Sequence, residues 1–313
     1  MKKIYRKGDR IESQFYSNHA TKIFLETTQD KALYGTQDQR KNLDELKFSG
    51  LEKSFISTVK KQAESVACLI SNQFLINKAE GGWQLSPHTP TLAQRVEGQI
   101  EEKDGVKEVF GEKEAFANEY APGFGTAFLV GKQLVMTAAH CFCKANSNIL
   151  DEKVIAATYL VFGFQNAKKN PSDYLFADKQ VYKIKKVVSH QFIRIQNKFQ
   201  KFTEWTDWAL LELDREVPYS PLRMNMTEKV SDKIELYMLG HPYGLPLKFT
   251  GNGYVLRNNH SDFFESDLDA FGGNSGSPTF NKSFKQVEGI LCSLDFVDFS
   301  LPLNHKSTFR FFH

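Results

Sequence analysis

From residue 124 onward the chain alternates short apolar runs with turn-forming residues. Candidate strands fall at 126–130, 133–137, 158–164, 180–188, 208–213, 233–239, 253–257, 278–281 and 286–293. Regularly spaced short strands with turn signals between them predict an all-β barrel or sandwich. Upstream, Val66-Ala67-Cys68-Leu69-Ile70 reads as a first core strand. Before it, Leu43, Leu46, Leu51, Phe55 and Val59 follow a partly helical spacing over residues 41–66. Residues 79–122 carry Gly81-Gly82, Pro87, Pro90 and the acidic run Glu101-Glu102-Lys103-Asp104. That composition predicts a long irregular connection with a short helix near 91–95. Residues 1–30 are polar and weakly patterned, and read as an N-terminal extension.

Composition narrows the class. Hydrophobic residues at 41% and charged residues at 25% are ordinary for a globular protein. A net charge of +3 is too small to argue for a nucleic acid or an anionic membrane as partner. The lysine-rich stretch from Lys179 to Lys186 contains Val181, Tyr182 and Ile184, so it reads as a strand with a solvated lysine face rather than a nucleic-acid groove. No run approaches the length of about 18 apolar residues that a membrane span requires. The basic start, Met1-Lys2-Lys3, is followed by Glu12, Ser13 and Gln14 rather than by the apolar core of a secretory leader. Two localisations stay open on this reading: the cytoplasm, or export by a route that reads another signal.

Three segments carry chemistry. Gly272-Gly273-Asn274-Ser275-Gly276-Ser277-Pro278 has two glycines where a backbone would have to coil tightly. The N–H groups of Gly273 and Ser275 could then hold the oxyanion formed when Ser275 attacks a carbonyl. Met136-Thr137-Ala138-Ala139-His140-Cys141 follows an apolar run and places a histidine at a strand end among small neighbours. Thr206-Asp207-Trp208-Ala209-Leu210-Leu211 is an apolar strand with one carboxylate at its mouth. A carboxylate beside Trp208 and Ala209 is costly to bury without a donor, and an imidazole N–H is a suitable one. Each segment alone also has a plainer reading, as a turn, a turn-capping histidine or an exposed strand-end acid. Their order, histidine then aspartate then serine, is the chymotrypsin order and not that of subtilisin or the α/β-hydrolases.

On these residues the chain resembles the trypsin-like (chymotrypsin-fold) serine peptidases. Thr-Ala-Ala-His-Cys at 137–141 is similar to the family's histidine motif, Asp207-Trp208-Ala209-Leu210 to its aspartate motif, and 272–278 to its serine motif. The Gly-Asn-Ser-Gly-Ser-Pro form is closer to the bacterial branch, including the V8-like peptidases, than to the animal digestive enzymes. Further similarity lies in Gly125-Thr126-Ala127-Phe128-Leu129-Val130, in Leu239 to Pro246, in Val287 to Leu291, and in Leu33 to Arg40.

The resemblance implies two six-stranded antiparallel barrels with the active site between them. Barrel one would span about 60–214 and hold His140 and Asp207; barrel two would span about 230–313 and hold Ser275. The peptidase domain would run over 31–313, with the inter-barrel connection near 215–230. The implied reaction is hydrolysis of peptide bonds in a protein or peptide substrate through an acyl-enzyme. His140 would act as general base, Asp207 as its orienting partner and Ser275 as nucleophile, with no metal or organic cofactor. Asn274 replaces the Asp that in the digestive enzymes pairs with a new N-terminus, which predicts activity without that processing step. Asp269, six residues before Ser275, occupies the offset at which trypsin has its S1 carboxylate and would favour Arg or Lys at P1. Asp267 and Asp269 read equally well as exposed loop acids. Ser293 and Leu294 would line the pocket wall. The absence of a histidine in 290–294 argues against a Glu preference. The rival from another class is an inactive protease-fold scaffold that only binds.

Of the cysteines at 68, 141, 143 and 292, Cys141 follows the histidine. The family often pairs this cysteine with one on the preceding strand, and Gly125 to Val130 contains none. That departure puts the usual disulfide in doubt. His140-Cys141-x-Cys143 has no second ligand group at zinc-site spacing.

Overall fold

The computed structural model describes residues 31–32, 38–97, 115–145, 147–196, 202–226, 229–260, 262–294 and 309–312. The N-terminal extension and the acidic run at 101–104 lie outside these residues. Two antiparallel β-structures dominate. Six strands close a barrel in the order Val181–Gln196, Phe202–Leu213, Leu134–Thr137, Gly123–Leu129, Val66–Ser71, Thr158–Phe162 and back to Val181–Gln196. A second sheet runs Glu235–Gly240, Pro278–Asn281, Val287–Leu294, Phe309–Phe312, Phe263–Ser266, Lys248–Arg257. Pairing of the first of these with the last closes it as well. The short strand Arg40–Asn42 adds to the outside of Lys248–Arg257 through its Lys248–Thr250 end. Closure removes the open edges that would otherwise invite pairing with other chains.

Alternation explains which residues fill each core. Ala67 and Leu69, Ala127 and Leu129, Leu160 and Phe162, and Ala209, Leu211 and Leu213 all point into the first barrel. The second core has two lobes. One is aromatic, with Tyr237 stacked on Phe280 at 4.9 Å and Phe55 edge-on to Tyr237 at 5.1 Å. The other is aliphatic around Leu236, Met238, Val255 and Leu268.

Several predicted elements differ in extent. The helical spacing over 41–66 resolves into a 3-10 turn, Glu45–Phe48, and an α-helix, Lys53–Ala63. Gly50, at φ 76, separates the two. Phe55, Val59 and Ala63 lie on one face at four-residue spacing and are buried against the second sheet. The connection at 79–122 is less irregular than its composition suggests. Trp83–Leu85 joins Leu75–Asn77 and Leu175–Phe176 in a small sheet, and a helix covers Leu92–Glu97. The lysine-rich strand continues well past residue 188, to Gln196. There Val181 and Tyr182 are buried, while Lys185 and Lys186 stand exposed and pair with Glu212 at 2.6 and 3.1 Å.

At one point the two barrels touch through bare backbone. A Cβ added to Gly244, at φ 76, would lie 2.0 Å from the Gly123 carbonyl oxygen, so only glycine fits there. Among the described residues no helix is long and apolar enough to cross a membrane.

Candidate active site

The first barrel presents an imidazole and a carboxylate from neighbouring strands. Leu134–Thr137 ends and a single 3-10 turn, Ala139–Cys141, carries His140. Its partner strand pairs Ala209 with Thr137 and continues past it, so that Asp207, two residues further along, comes level with that turn. Asp207 is buried, its side chain 1% exposed. Its carboxylate meets two donors: the His140 backbone N–H at 3.0 Å and the His140 Nδ1 at 2.6 Å. A short charge-assisted bond of this kind fixes both ring orientation and tautomer. Phe192, whose ring centre lies 6.2 Å from the imidazole, packs beside it.

The second barrel supplies the hydroxyl. Ser275 sits in the loop between Ala270–Phe271 and Pro278–Asn281, and its Oγ lies 2.8 Å from His140 Nε2. Ser275 is the one residue between 271 and 280 that is not buried.

The loop is held from behind in a way that sets where its N–H groups point. In a trans peptide the C=O and the following N–H face opposite ways. The Gly272 carbonyl accepts the Tyr243 N–H, and the Asn274 carbonyl accepts the Ser277 N–H at 2.8 Å. With both carbonyls drawn inward, the N–H groups of Gly273 and Ser275 are turned outward, and neither donates to another described residue. Gly273 and Gly276 have φ of 84 and 88, where a side chain would be strained. A Cβ on Gly273 would also lie 2.7 to 2.9 Å from backbone atoms of His241, Tyr243 and Gly244.

Thr126, in the first barrel, grips the same loop. Its N–H donates to the Ser275 carbonyl at 2.8 Å and its hydroxyl to the Gly273 carbonyl at 3.0 Å. The same hydroxyl accepts the His241 N–H at 3.0 Å, and the Thr126 carbonyl accepts the Thr137 hydroxyl at 2.7 Å. The sequence places Thr126 in an apolar strand and in the resembling segment Gly125 to Val130, but gives its hydroxyl no role. Tyr243, at φ 54, and His241 fall in the resembling segment Leu239 to Pro246, but their support of the loop is carried by backbone groups in a turn, which the sequence does not single out.

Electrostatics follow from burial and contact. Burial on its own favours the neutral His140 ring, but the charge and hydrogen bond of Asp207, with a smaller contribution from Cys141, outweigh it. The imidazolium is therefore held well above the usual histidine range. His241 goes the other way. Burial, reinforced by nearby Lys248, pushes it down to about 3 despite its bond to the Leu245 carbonyl. Burial raises the Cys143 thiol to about 12, with the Asp207 charge adding to the rise. All four cysteines are buried, and none forms a disulfide among the described residues. Among the described residues no group of three or more His, Cys, Asp or Glu is arranged to hold a metal ion.

The other predicted residues are placed as follows. Asp269 is not an exposed loop acid: it is fully buried, and its Oδ2 accepts the Gln39 backbone N–H at 2.9 Å. Asp267 accepts the Tyr254 N–H at 2.5 Å. Ser293 and Leu294 lie at the end of the strand Val287–Leu294, and their side chains fall outside the described residues. Asn274 is 1% exposed, and neither its Oδ1 nor its Nδ2 has a hydrogen-bond partner among the described residues.

A serine hydroxyl, an imidazole and a carboxylate in line, at the meeting of two β-barrels, define the class of the chymotrypsin-type serine hydrolases. The family model of the trypsin-like peptidase domain matches residues 125–290, and the chain belongs to that family. It is thus a serine protease, with protein as its substrate class. No curated protein matches the chain. Among solved structures it is similar to the Rv3671c protease of M. tuberculosis in its inactive form, at 15% identity over 82% of this chain and 86% of that one, TM-score 0.43. It is also similar to a serine endoprotease from Yersinia pestis (12%, covering 83% and 62%, TM-score 0.42). A third is a Glu endopeptidase (13%, covering 60% and 78%, TM-score 0.41).

Proposed function

We propose that His140, Asp207 and Ser275 form the catalytic triad of an endopeptidase that works through an acyl-enzyme. The observation that carries this reading is the continuous relay from Asp207 Oδ2 to His140 Nδ1, 2.6 Å, and from His140 Nε2 to Ser275 Oγ, 2.8 Å. His140 takes the Ser275 proton as Oγ attacks the scissile carbonyl, then returns a proton to the leaving amine. Asp207 keeps Nδ1 protonated and stabilises the imidazolium that forms. The outward N–H groups of Gly273 and Ser275 receive the oxyanion, where losing one donor typically costs about 10²–10³ in rate. In the second half-reaction a water, activated by His140, attacks the ester and restores the hydroxyl. Residues 31–313 form the peptidase domain in this reading, with barrels at about 60–214 and 230–313.

For specificity, we propose that Asp269 draws Arg or Lys at P1, with Ser293 and Leu294 along the pocket wall. Asp269 is fully buried and lies six residues before Ser275, the offset at which the resemblance implies an S1 carboxylate that would pair with a cationic side chain.

Fluorophosphonate labelling tests the chemistry. Wild type should be labelled and Ser275→Ala should not. A folded, unlabelled wild type would assign this fold to binding instead. N-terminal profiling of a proteome treated with each protein tests specificity: cleavage specific to wild type should follow Arg or Lys. Cleavage without that preference would leave Asp269 a purely structural role.

A further inference from the structure

The strand that leads into the nucleophile loop, Ala270–Phe271, is gripped by residues from far upstream. Lys31 and Ala32 pair with Phe271 and Ala270. Gln39 donates its N–H to Asp269 at 2.9 Å. Arg40, its side chain wholly buried, lays its guanidinium over the Phe271 ring at 3.8 Å. Asp38 fixes that guanidinium by bonds of 2.9 Å to Nε and 2.5 Å to the terminal nitrogen. A buried cation held by a fork and stacked on an aromatic face has little freedom to move.

From Phe271 the contact passes straight into the loop. The Phe271 carbonyl accepts the Asn274 N–H at 3.0 Å, and its ring packs against Tyr243 at 5.5 Å between centres. Tyr243 is the residue whose N–H draws the Gly272 carbonyl inward and so turns the Gly273 N–H outward. The strap is itself anchored: Asn42 accepts a bond from the buried Lys248, which also binds Glu119. Phe116 lies beside both cations, 5.1 Å from the Arg40 guanidinium carbon and 4.3 Å from Lys248 Nζ.

Among the described residues the Asn274 side chain has no hydrogen-bond partner, so it does not itself order the loop. We propose that Arg40, locked by Asp38, is a positioning residue for the oxyanion hole. The strap at Gln39–Asn42 presses Phe271 and Tyr243 into the arrangement that keeps the Gly273 N–H outward. This rests on reading the Gly273 and Ser275 N–H groups as the oxyanion donors. Order at the loop then comes from an internal segment of the chain, and no newly cut terminus is required.

The test uses the full-length protein as wild type, Arg40→Ala, Arg40→Lys, Asp38→Asn and Ser275→Ala. Fluorophosphonate titration counts working sites, so kcat can be expressed per site and separated from any loss of folded protein. Arg40→Ala should lose about 10²-fold in kcat per titrated site, the size expected for a displacement of about 1 Å at the reacting centre. Its KM should change little, since the lost contact acts in the transition state. Asp38→Asn should shift in the same direction, and Arg40→Lys should recover part of the loss by keeping the cation on the ring. If Arg40→Ala does not fold, Arg40→Lys and Asp38→Asn decide the matter by the same measure. An unchanged kcat per site in the folded variants overturns the strap and leaves the triad standing. A wild type that resists labelling overturns both.

Discussion

Thr126 and Ser275 belong to different barrels and are joined by a backbone bond of 2.8 Å, while the Thr126 hydroxyl holds the Gly273 carbonyl two residues away. The strand that forms the first barrel thus also shapes the loop of the second. Removing that hydroxyl as Thr126→Val would leave the Gly273 carbonyl and the His241 N–H unpaired in a buried setting. Each such group costs about 1–3 kcal/mol. We expect a lower urea midpoint and a fall in kcat of about 10-fold or more, while Thr126→Ser keeps both properties. A Val variant as active and stable as wild type would remove Thr126 from the support of the loop.

The raised His140 pKa sets the pH dependence. Only the neutral ring can accept the Ser275 proton, so kcat/KM should rise with pH through an inflection above 6.5, the ordinary value. Asp207→Asn removes the charge that raises the pKa while burial, which lowers it, remains. Its inflection should therefore lie below that of wild type, and its rate should fall by about 10⁴. Steady-state profiles of the two proteins check both statements, and coincident inflections would contradict the assignment of Asp207.

His241 predicts a loss of stability in acid. The unfolded chain takes up a proton as pH falls through about 6.5, whereas the folded protein resists it down to about 3. Stability from this group is complete above 6.5 and declines below, by up to about 1.4 kcal/mol per pH unit. His241→Asn supplies a donor for the Leu245 carbonyl without a titrating ring. Urea midpoints between about pH 4 and 7 should fall more steeply for wild type than for this variant. Parallel slopes would place the acid sensitivity elsewhere.

Much of the barrel architecture was legible because its strands are short, apolar and punctuated by glycine, proline and polar turns. The chymotrypsin order of His140, Asp207 and Ser275 was legible too, since each lies in a local motif. What sequence could not reveal was action through the main chain. Tyr243 contributes an N–H that any residue but proline possesses, and its positive φ leaves no trace in side-chain chemistry. Arg40 and Phe271 are distant in the chain, and no local pattern announces that one stacks on the other. Trp83–Leu85 is not legible in the sequence because three residues are too few to display a period of two. Asp269 read equally well as a pocket carboxylate or a surface acid until the fold buried it beside Gln39.

The glycine contact between the barrels has a mechanical consequence. With Gly244 against the Gly123 backbone, no side chain is available there to yield when the barrels shift. Ser275 lies on one barrel and His140 on the other, so a small slip at this seam opens the 2.8 Å gap between them directly. Such a slip leaves the strand pairing of both barrels intact. Activity should therefore register strain at this seam before secondary structure does.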